Sequence, residues 1–423
     1  MRKRLALIGT GISGMACGYF LHRKYDLTVY EQNRYIGGHT NTVSVEEEGR
    51  EIFIDTGFMV YNEVTYPNFT KLLDGLNVPT RPTTMSFSVQ HVPSGLEYCG
   101  SGIAGLFAQR QNLINPSFLS MLYQVDRFNR ESAEILEKGN YDRCTLREYV
   151  ADRKYGSDFM EKYLIPMSSA VWSTPREQMM DFPATTLLRF FYNHGFLGLH
   201  TQHPWRTIVG GSKTYRDRLI APFSDRILTG RAARKVWREE KTIRVGDSIG
   251  DTREFDAVIF ACHADQTLRL LADPTLDESR LLPAFPYQKN IATLHTDTTV
   301  MPKTRQAWSS WNYRVTPNGH PESSAASTIY YMNSLQKVSQ KRDYFVSIND
   351  QGTVRDEKIL LQLEYEHPVF HLQAVDAQKE LQKLNQSGRT FFCGSYFSNG
   401  FHEDGLNAAL EVCRKLGVDP WNR

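Results

Sequence analysis

The sequence predicts an α/β protein in which a discontinuous Rossmann-like domain carries an inserted α+β domain, and three observations predict it. Near the start, the apolar run Leu5-Ala6-Leu7-Ile8 reads as a buried strand, and Gly9-x-Gly11-x-x-Gly14 carries it into a helix that continues to about His22. Far downstream, Ala257-Val258-Ile259-Phe260-Ala261 is a continuous apolar run of the kind shown by a strand covered on both faces. Close to the end, Thr390-Phe391-Phe392-Cys393-Gly394-Ser395 reads as a strand before a helix from Gly405 to Cys413, with Arg414 and Lys415 in its last turn and Gly417 at its stop.

A chain of 423 residues exceeds the size at which one hydrophobic core usually stops growing, so two domains, or one with large insertions, are expected. Residues 1–85, 205–282 and 385–423 are assigned to the nucleotide-binding domain, and 86–204 and 283–384 to a substrate domain. Lys plus Arg number 49 against 47 Asp plus Glu, so charge gives no reason to expect a nucleic-acid partner. Cys17, Cys99, Cys144, Cys262, Cys393 and Cys413 form no C-x-x-C pair, which argues against a metal site and a disulfide framework and fits a cytoplasmic location. Met1-Arg2-Lys3-Arg4 imitates the start of a signal peptide, but the apolar run stops at Gly9, and we read it as a charged lead-in to the first strand. No apolar run is long enough to span a bilayer, which takes about 18 residues or more.

Each fingerprint glycine answers a physical need. Gly9 permits the tight turn, Gly11 lets the backbone approach a pyrophosphate, and Gly14 lets the helix pack on the strand. The helix start at Ile12 and Ser13 offers free N–H groups to the phosphates. Glu31, 20 residues past Gly11 at the end of Leu27-Thr28-Val29-Tyr30, stands where an acid meets a ribose hydroxyl. Next come Ile36-Gly37-Gly38-His39, strand-like segments over 42–46 and 51–55, and Thr56-Gly57-Phe58. By spacing alone the glycine pair could equally be a plain hairpin turn.

From Tyr61 to about Pro204 the pattern becomes largely helical. Asn115-Pro116 caps a helix on which Phe118, Met121, Leu122, Val125, Phe128, Ser132 and Ile135 recur at helical spacing. Thr145 and Glu148 form a capping-box pattern for another helix, expected to stop near Gly156. Residues 103–122, and Arg189-Phe190-Phe191-Tyr192 leading into Phe196-Leu197-Gly198-Leu199, suit either contact with a bilayer surface or burial within the insertion. Trp205-Arg206-Thr207-Ile208-Val209-Gly210-Gly211-Ser212 begins the return to the nucleotide domain, with a helix over 213–221 and strands at 227–228 and 233–237. Residues 283–374 then alternate like a mixed sheet, rich in Tyr, Trp, Thr and Val.

Taken together, Gly9-x-Gly11-x-x-Gly14, Tyr30-Glu31, Gly37-Gly38 and Ile54-Asp55-x-Gly57 resemble the N-terminal portion of the flavin amine oxidase superfamily, which also includes protoporphyrinogen oxidases and carotenoid desaturases. The resemblance implies the flavin amine oxidase type of fold and FAD as the dinucleotide. It places Gly38 and His39 along the pyrophosphate, with His39 where many relatives have an arginine, and Thr56, Gly57 and Phe58 beside the isoalloxazine ring. A backbone adenine contact falls at Ala233, Gly394 and Ser395 hold the ribityl chain, and Glu403, Asp404, Gly405 and Leu406 occupy the helix start facing the pyrimidine ring. A reduced flavin carries negative charge there, which a helix N-terminus stabilises. No cysteine stands near 396–401, where amine oxidases link FAD covalently, so the cofactor is expected to be non-covalent.

A narrower likeness runs through Gly57-Phe58-Met59-Val60-Tyr61-Asn62, Pro166-Met167-Ser168-Ser169-Ala170-Val171-Trp172-Ser173, Trp205-Arg206-Thr207, Trp308-Ser309-Ser310-Trp311-Asn312-Tyr313 and Phe401-His402-Glu403-Asp404-Gly405. These resemble a bacterial subgroup related to the oxidase-like domain of plant cyclopropane fatty acid synthases. Its members accompany lipid methyltransferases, and some take part in making methylated or furan-containing fatty acids. The resemblance implies a fatty acyl substrate, a methyltransferase as functional partner, and a place in the cytoplasm or at the inner face of the plasma membrane. The expected reaction is desaturation by hydride transfer to flavin N5, with Tyr61, His295, Tyr331 and His402 as candidate bases or polar guides. An amine oxidase and a flavin-bearing protein that presents lipid to a methyltransferase are the rival readings. Oligomeric state is left open.

Overall fold

The computed structural model describes residues 2–198, 201–318, 320–386 and 388–422, and the side chains at 318 and 320–325 are not described. Met1 of the lead-in and Leu199 of the second apolar stretch lie outside the described residues.

Segments far apart in the chain build one parallel sheet. Its order is Ile227–Leu228, Asp26–Tyr30, Arg4–Ile8, Ala257–Phe260, Thr390–Phe392. Leu5 pairs with Leu27 on one side and Ala257 on the other, and Phe260 pairs with Phe392. Leu5, Leu7 and Ile259 face a core under the fingerprint helix Ile12–Leu21 and the C-terminal helix His402–Lys415, while Ala6, Ile8, Val258 and Phe260 face a second core. Burial on both faces is why these strands read as unbroken apolar runs. A three-stranded antiparallel sheet, Ala233–Arg238, Ile243–Asp247 and Thr252–Phe255, leads into the strand Ala257–Phe260.

The second domain is a seven-stranded mixed sheet backed by helices. Its order is Ile359–Pro368, Tyr287–His295, Phe345–Ile348, His320–Tyr331, Trp311–Asn318, Phe87–His91, Leu96–Cys99. The last two strands correct the expectation of a mainly helical segment after Tyr61. Phe87, Ser88, Val89 and Gln90 are all buried, so the period-two signal is missing. Ser88 Oγ donates to Asn312 Oδ1 at 2.7 Å across the parallel pairing of Phe87–His91 with Trp311–Asn318.

Helices fill the insertion from Gly102 to Asn193. The helix Pro116–Lys138 is capped by Asn115, whose side chain accepts from the Ser117 and Phe118 N–H groups, and it ends on Gly139 at φ 67°. The Thr145–Glu148 capping box forms, but its helix stops at Asp152. Lys154 takes φ 55° and Tyr155 N donates to Val150 O at 3.1 Å, closing the helix before Gly156, which begins the next turn. The two apolar stretches behave differently: Phe190, Phe191 and Phe196 are buried, whereas Ile103 is 80% and Ile114 85% exposed. Among the described residues no helix is long and apolar enough to cross a membrane.

Candidate functional site

A cavity of about 930 Å³ runs from the fingerprint turn to the start of the C-terminal helix, between the nucleotide domain and the mixed sheet. At its first end Gly9 adopts φ 100°, and a Cβ there would lie 2.7 Å from Ala261 O. A Cβ on Gly14 would lie 2.0 Å from Gly9 O, so the third glycine is what lets helix and turn touch. Gly11 is different: a Cβ there would meet nothing within 4 Å, because the position opens on the cavity. Ile12 and Ser13 line the cavity beside it, and the helix has no side-chain cap, so its first N–H groups are free for an anion.

Glu31 lines the same end, buried and fixed by the Thr10 N–H at 3.1 Å, the Thr10 hydroxyl and the Asn33 N–H at 2.8 Å. Gly37 and Gly38, at φ 127° and 59°, form no hairpin but a loop folded against the fingerprint, with the Gly38 Cβ position 3.3 Å from Gly11 Cα. Thr56, Gly57 and Phe58 follow along the wall; Phe58 N donates to His39 O at 2.8 Å, and Thr56 and Tyr365 share a hydroxyl hydrogen bond of 2.7 Å. Ala233, Gly394 and Ser395 also line the cavity. Positive-φ glycines, an open Gly11 and an uncapped helix start make a cradle that fits a dinucleotide, in a volume within the roughly 300–1,000 Å³ of small-molecule sites.

The C-terminal helix departs from expectation. Gly400, Phe401 and His402 reach the cavity, whereas Glu403, Asp404, Gly405 and Leu406 do not line it. Glu403 turns away to cap the helix Pro67–Gly75, accepting from Asn68 N and Phe69 N at 2.9 Å each. Asp404 accepts from Phe401 N at 2.9 Å, and burial pushes its carboxyl up to about 6. Gly405 abuts the fingerprint helix, and Leu406 is fully buried in the core. A helix rotates successive side chains by about 100°, so only the first of the five points along the cavity.

Of the four candidate catalytic groups, the structure brings only His402 to the cavity. Its ring stacks on Phe58 at 3.7 Å, its Nε2 is 3.0 Å from the Tyr215 hydroxyl and 3.2 Å from the Thr40 hydroxyl, and burial holds its pKa down at about 3. The other three do not line it. Tyr61 is buried beside Tyr66 and Phe69. His295 Nε2 is 2.7 Å from Ser347 Oγ, and its Nδ1 accepts from Asp297 N, inside the mixed sheet. Tyr331 donates to Asp343 at 2.6 Å in a separate cluster with Trp308 and Phe345.

In their place stands a wall in which Tyr365 and His367, which sequence reasoning did not single out, meet His39, which it did. Tyr365 and His367, alternate residues of Ile359–Pro368, hold the His39 ring between them, each centroid 5.0 Å from it. Burial, followed by the neighbouring His367, keeps His39 well below the ordinary imidazole range, and its Nε2 has no hydrogen-bond partner. His367 is lowered to about 4 by burial. Across the cavity Trp172 donates through Nε1 to Asn399 O at 3.2 Å, and behind it Phe190 meets Trp172 at a tilt, 4.8 Å between centroids, and stacks on Phe401 at 4.9 Å. Ser173 follows at φ 52°, a strained position for a residue with a side chain, and a single π turn at Met160–Leu164 precedes this helix. Val171, Trp172, Tyr330, Ile348, Phe370 and Phe401 are uncharged members of a lining that also includes Glu31, Arg234, Arg269, Glu364 and Glu366. Among the described residues no group of three or more His, Cys, Asp or Glu could hold a metal ion.

A model of the family described as flavin containing amine oxidoreductase matches residues 12–344. Solved structures with the same fold include a putrescine oxidase bound to putrescine, at 12% identity and a TM-score of 0.68 over 98% of this chain and 99% of that one. Cyclohexylamine oxidase from Brevibacterium oxydans IH-35A is 14% identical, with a TM-score of 0.69 over 99% and 100%. A CLA-producing fatty acid isomerase from P. acnes is 14% identical, with a TM-score of 0.68 over 98% and 99%. No curated protein matches the sequence.

Proposed function

The chain belongs to the flavin containing amine oxidoreductase family, its cofactor is FAD, and from this premise we propose that it desaturates a fatty acyl chain, in particular a methylated unsaturated chain of a phospholipid. The observation that carries the reading is the uncharged part of the lining, formed by Val171, Trp172, Tyr330, Ile348, Phe370 and Phe401. The two carboxylates of Ile359–Pro368 in the lining lie beside basic side chains: Glu366 is 3.3 Å from His263 Nδ1, and Glu364 is 3.0 Å from Lys289. The likeness to a fatty acid isomerase adds that this fold accommodates an acyl chain in at least one other protein. The motifs resembling methyltransferase-associated oxidases, Phe401-His402-Glu403-Asp404-Gly405 among them, point to methylated lipid.

Bound FAD supplies the two-electron acceptor that oxidation of a C–H bond requires. The protein's part is orientation and exclusion of water. Trp172 and Phe401, with ring centroids 6.2 Å apart and backed by buried Phe190, give an aromatic surface against which methylenes gain roughly 0.8 kcal/mol each on leaving water. His39, held neutral by burial and without a hydrogen-bond partner at Nε2, offers a hydrogen-bond acceptor on the cavity wall rather than a base. His402, tied to Thr40 and Tyr215, orients rather than titrates.

Anaerobic mixing with methylated phospholipid, unmethylated phospholipid and small amines tests the reading. Bleaching of the flavin by methylated lipid alone is expected. Bleaching by amines would replace it with an amine oxidase, and retained lipid binding without bleaching would replace it with a lipid-presenting role.

A further inference from the structure

The insertion exposes large apolar side chains in one place. Ile103 is 80% exposed, Leu113 54%, Ile114 85%, Leu119 43% and Tyr123 64%. They form one surface. The short helix Gly102–Leu106 leads to Phe107, whose ring meets Phe118 edge-on at 5.9 Å, and the turn Arg110–Ile114 runs directly into Pro116–Lys138, where Leu119 and Tyr123 sit one turn apart. Ile114 and Leu119 occupy the staple positions around the Asn115 cap, yet both remain in solvent.

The charges around this surface carry a basic excess. Residues 100–125 contain a single charged side chain, Arg110, which is exposed. The turn Arg305–Ala307 packs on Gly102–Leu106, adding exposed Lys303 and Arg305, the latter over the Trp308 ring with the Asp343 carboxylate 3.8 Å away. The acidic groups that follow, Asp126 and Asp158, are paired with Arg130 and Lys162. Two copies meeting through this face would set basic rim against basic rim. A bilayer bearing anionic headgroups instead complements both parts, taking isoleucine and leucine at the acyl boundary and arginine and lysine at the phosphates.

We propose that the surface formed by Ile103, Leu113, Ile114, Leu119 and Tyr123, rimmed by Arg110, Lys303 and Arg305, docks the protein on an anionic phospholipid bilayer. The proposal deepens the acyl-chain reading by naming the phase from which the substrate is drawn, and it is measured without turnover. FAD-loaded full-length protein is sedimented with vesicles of phosphatidylcholine alone and of phosphatidylcholine mixed equally with phosphatidylglycerol, at low and high salt. Binding to the anionic vesicles that weakens with salt is expected. The double variant Ile103→Glu, Ile114→Glu is expected to keep its flavin spectrum and bind about tenfold or more weakly. Wild type remaining in the supernatant with both compositions, or a spectrally intact variant that binds equally well, overturns the proposal. So does a wild-type dimer that the variant dissociates, since the occupant would then be a second copy. Intact vesicle binding without bleaching by lipid refutes the acyl reading alone.

Discussion

Ser13 Oγ donates a 2.7 Å hydrogen bond to the carbonyl of Gly405, joining the first helix of the protein to its last across 392 residues of sequence. Both groups are buried, and a Cβ on Gly405 would lie 2.8 Å from Ile12 Cγ2 and 3.0 Å from Ser13 Oγ. The two helix starts that bracket the cavity are therefore held in one rigid relation.

Gly405→Val is expected to force these helices apart, costing about 1–3 kcal/mol as an overpacked site does. Ser13→Ala removes one buried hydrogen bond, about 1 kcal/mol. Thermal unfolding of the FAD-loaded proteins checks both, with the valine variant the less stable.

Gly11 and Gly14 separate binding from folding. Gly14→Ala sets a methyl group 2.0 Å from Gly9 O and is expected to destabilise the protein with or without FAD. Gly11→Ala meets no protein atom and is expected to leave the unfolding temperature of the FAD-free protein unchanged while lowering its flavin content after purification. Equal loss of stability in both variants would contradict the assignment.

Removing side chains that lie off the cavity leaves chemistry intact. Tyr331→Phe loses the hydrogen bond to Asp343 and is expected to cost about 1 kcal/mol or less, with flavin reduction rates unchanged. Phe401→Ala, which strips the stack with Phe190, is expected to slow flavin reduction by substrate at least about tenfold by loosening substrate orientation. Stopped-flow absorbance on the two variants makes the comparison.

Acid sensitivity follows from the buried histidines. His39 is depressed well below its ordinary value, His194, His295 and His367 to about 4, and His402 to about 3, each first by burial. The unfolded chain protonates these groups near 6.5 while the folded one does not, so their stabilisation is full above that pH and is lost as pH falls from 6.5 toward 4. Each group contributes a slope of about 1.4 kcal/mol per pH unit in that window. Asp404 runs the other way: its folded value of about 6 lies above the unfolded one, so its contribution favours folding at low pH and disappears as pH rises through 6. Denaturant unfolding across pH should show a net loss of stability toward acid, smaller in slope for His295→Asn and steeper for Asp404→Asn.

Flavin is expected in the supernatant after acid precipitation. Tyr396 rather than cysteine lies beside Ser395 at the cavity, and Cys262, which also lines it, is a thiol that burial pushes up to about 11. Flavin retained in the washed pellet would show a covalent bond.

The sequence by itself determined what depends on neighbours along the chain. The glycine fingerprint, Glu31 at its strand end, the Asn115 and Thr145 caps and the unbroken apolar strands were legible because a turn, a cap or a doubly buried strand requires particular residue types at fixed short spacings. Tertiary structure alone decided which polar side chains meet the cavity. Tyr365 and His367 are alternate residues of Ile359–Pro368 set against His39, whereas His295 pairs into the sheet with Phe345 and Ile359 and Tyr331 with Phe345, and these placements depend on strand registers between remote segments. Glu403 likewise needed the helix Pro67–Gly75, more than 300 residues earlier, before its carboxylate had a partner. Contacts across a sheet or between helices are set by pairing between remote segments, and no local pattern of residues records that pairing.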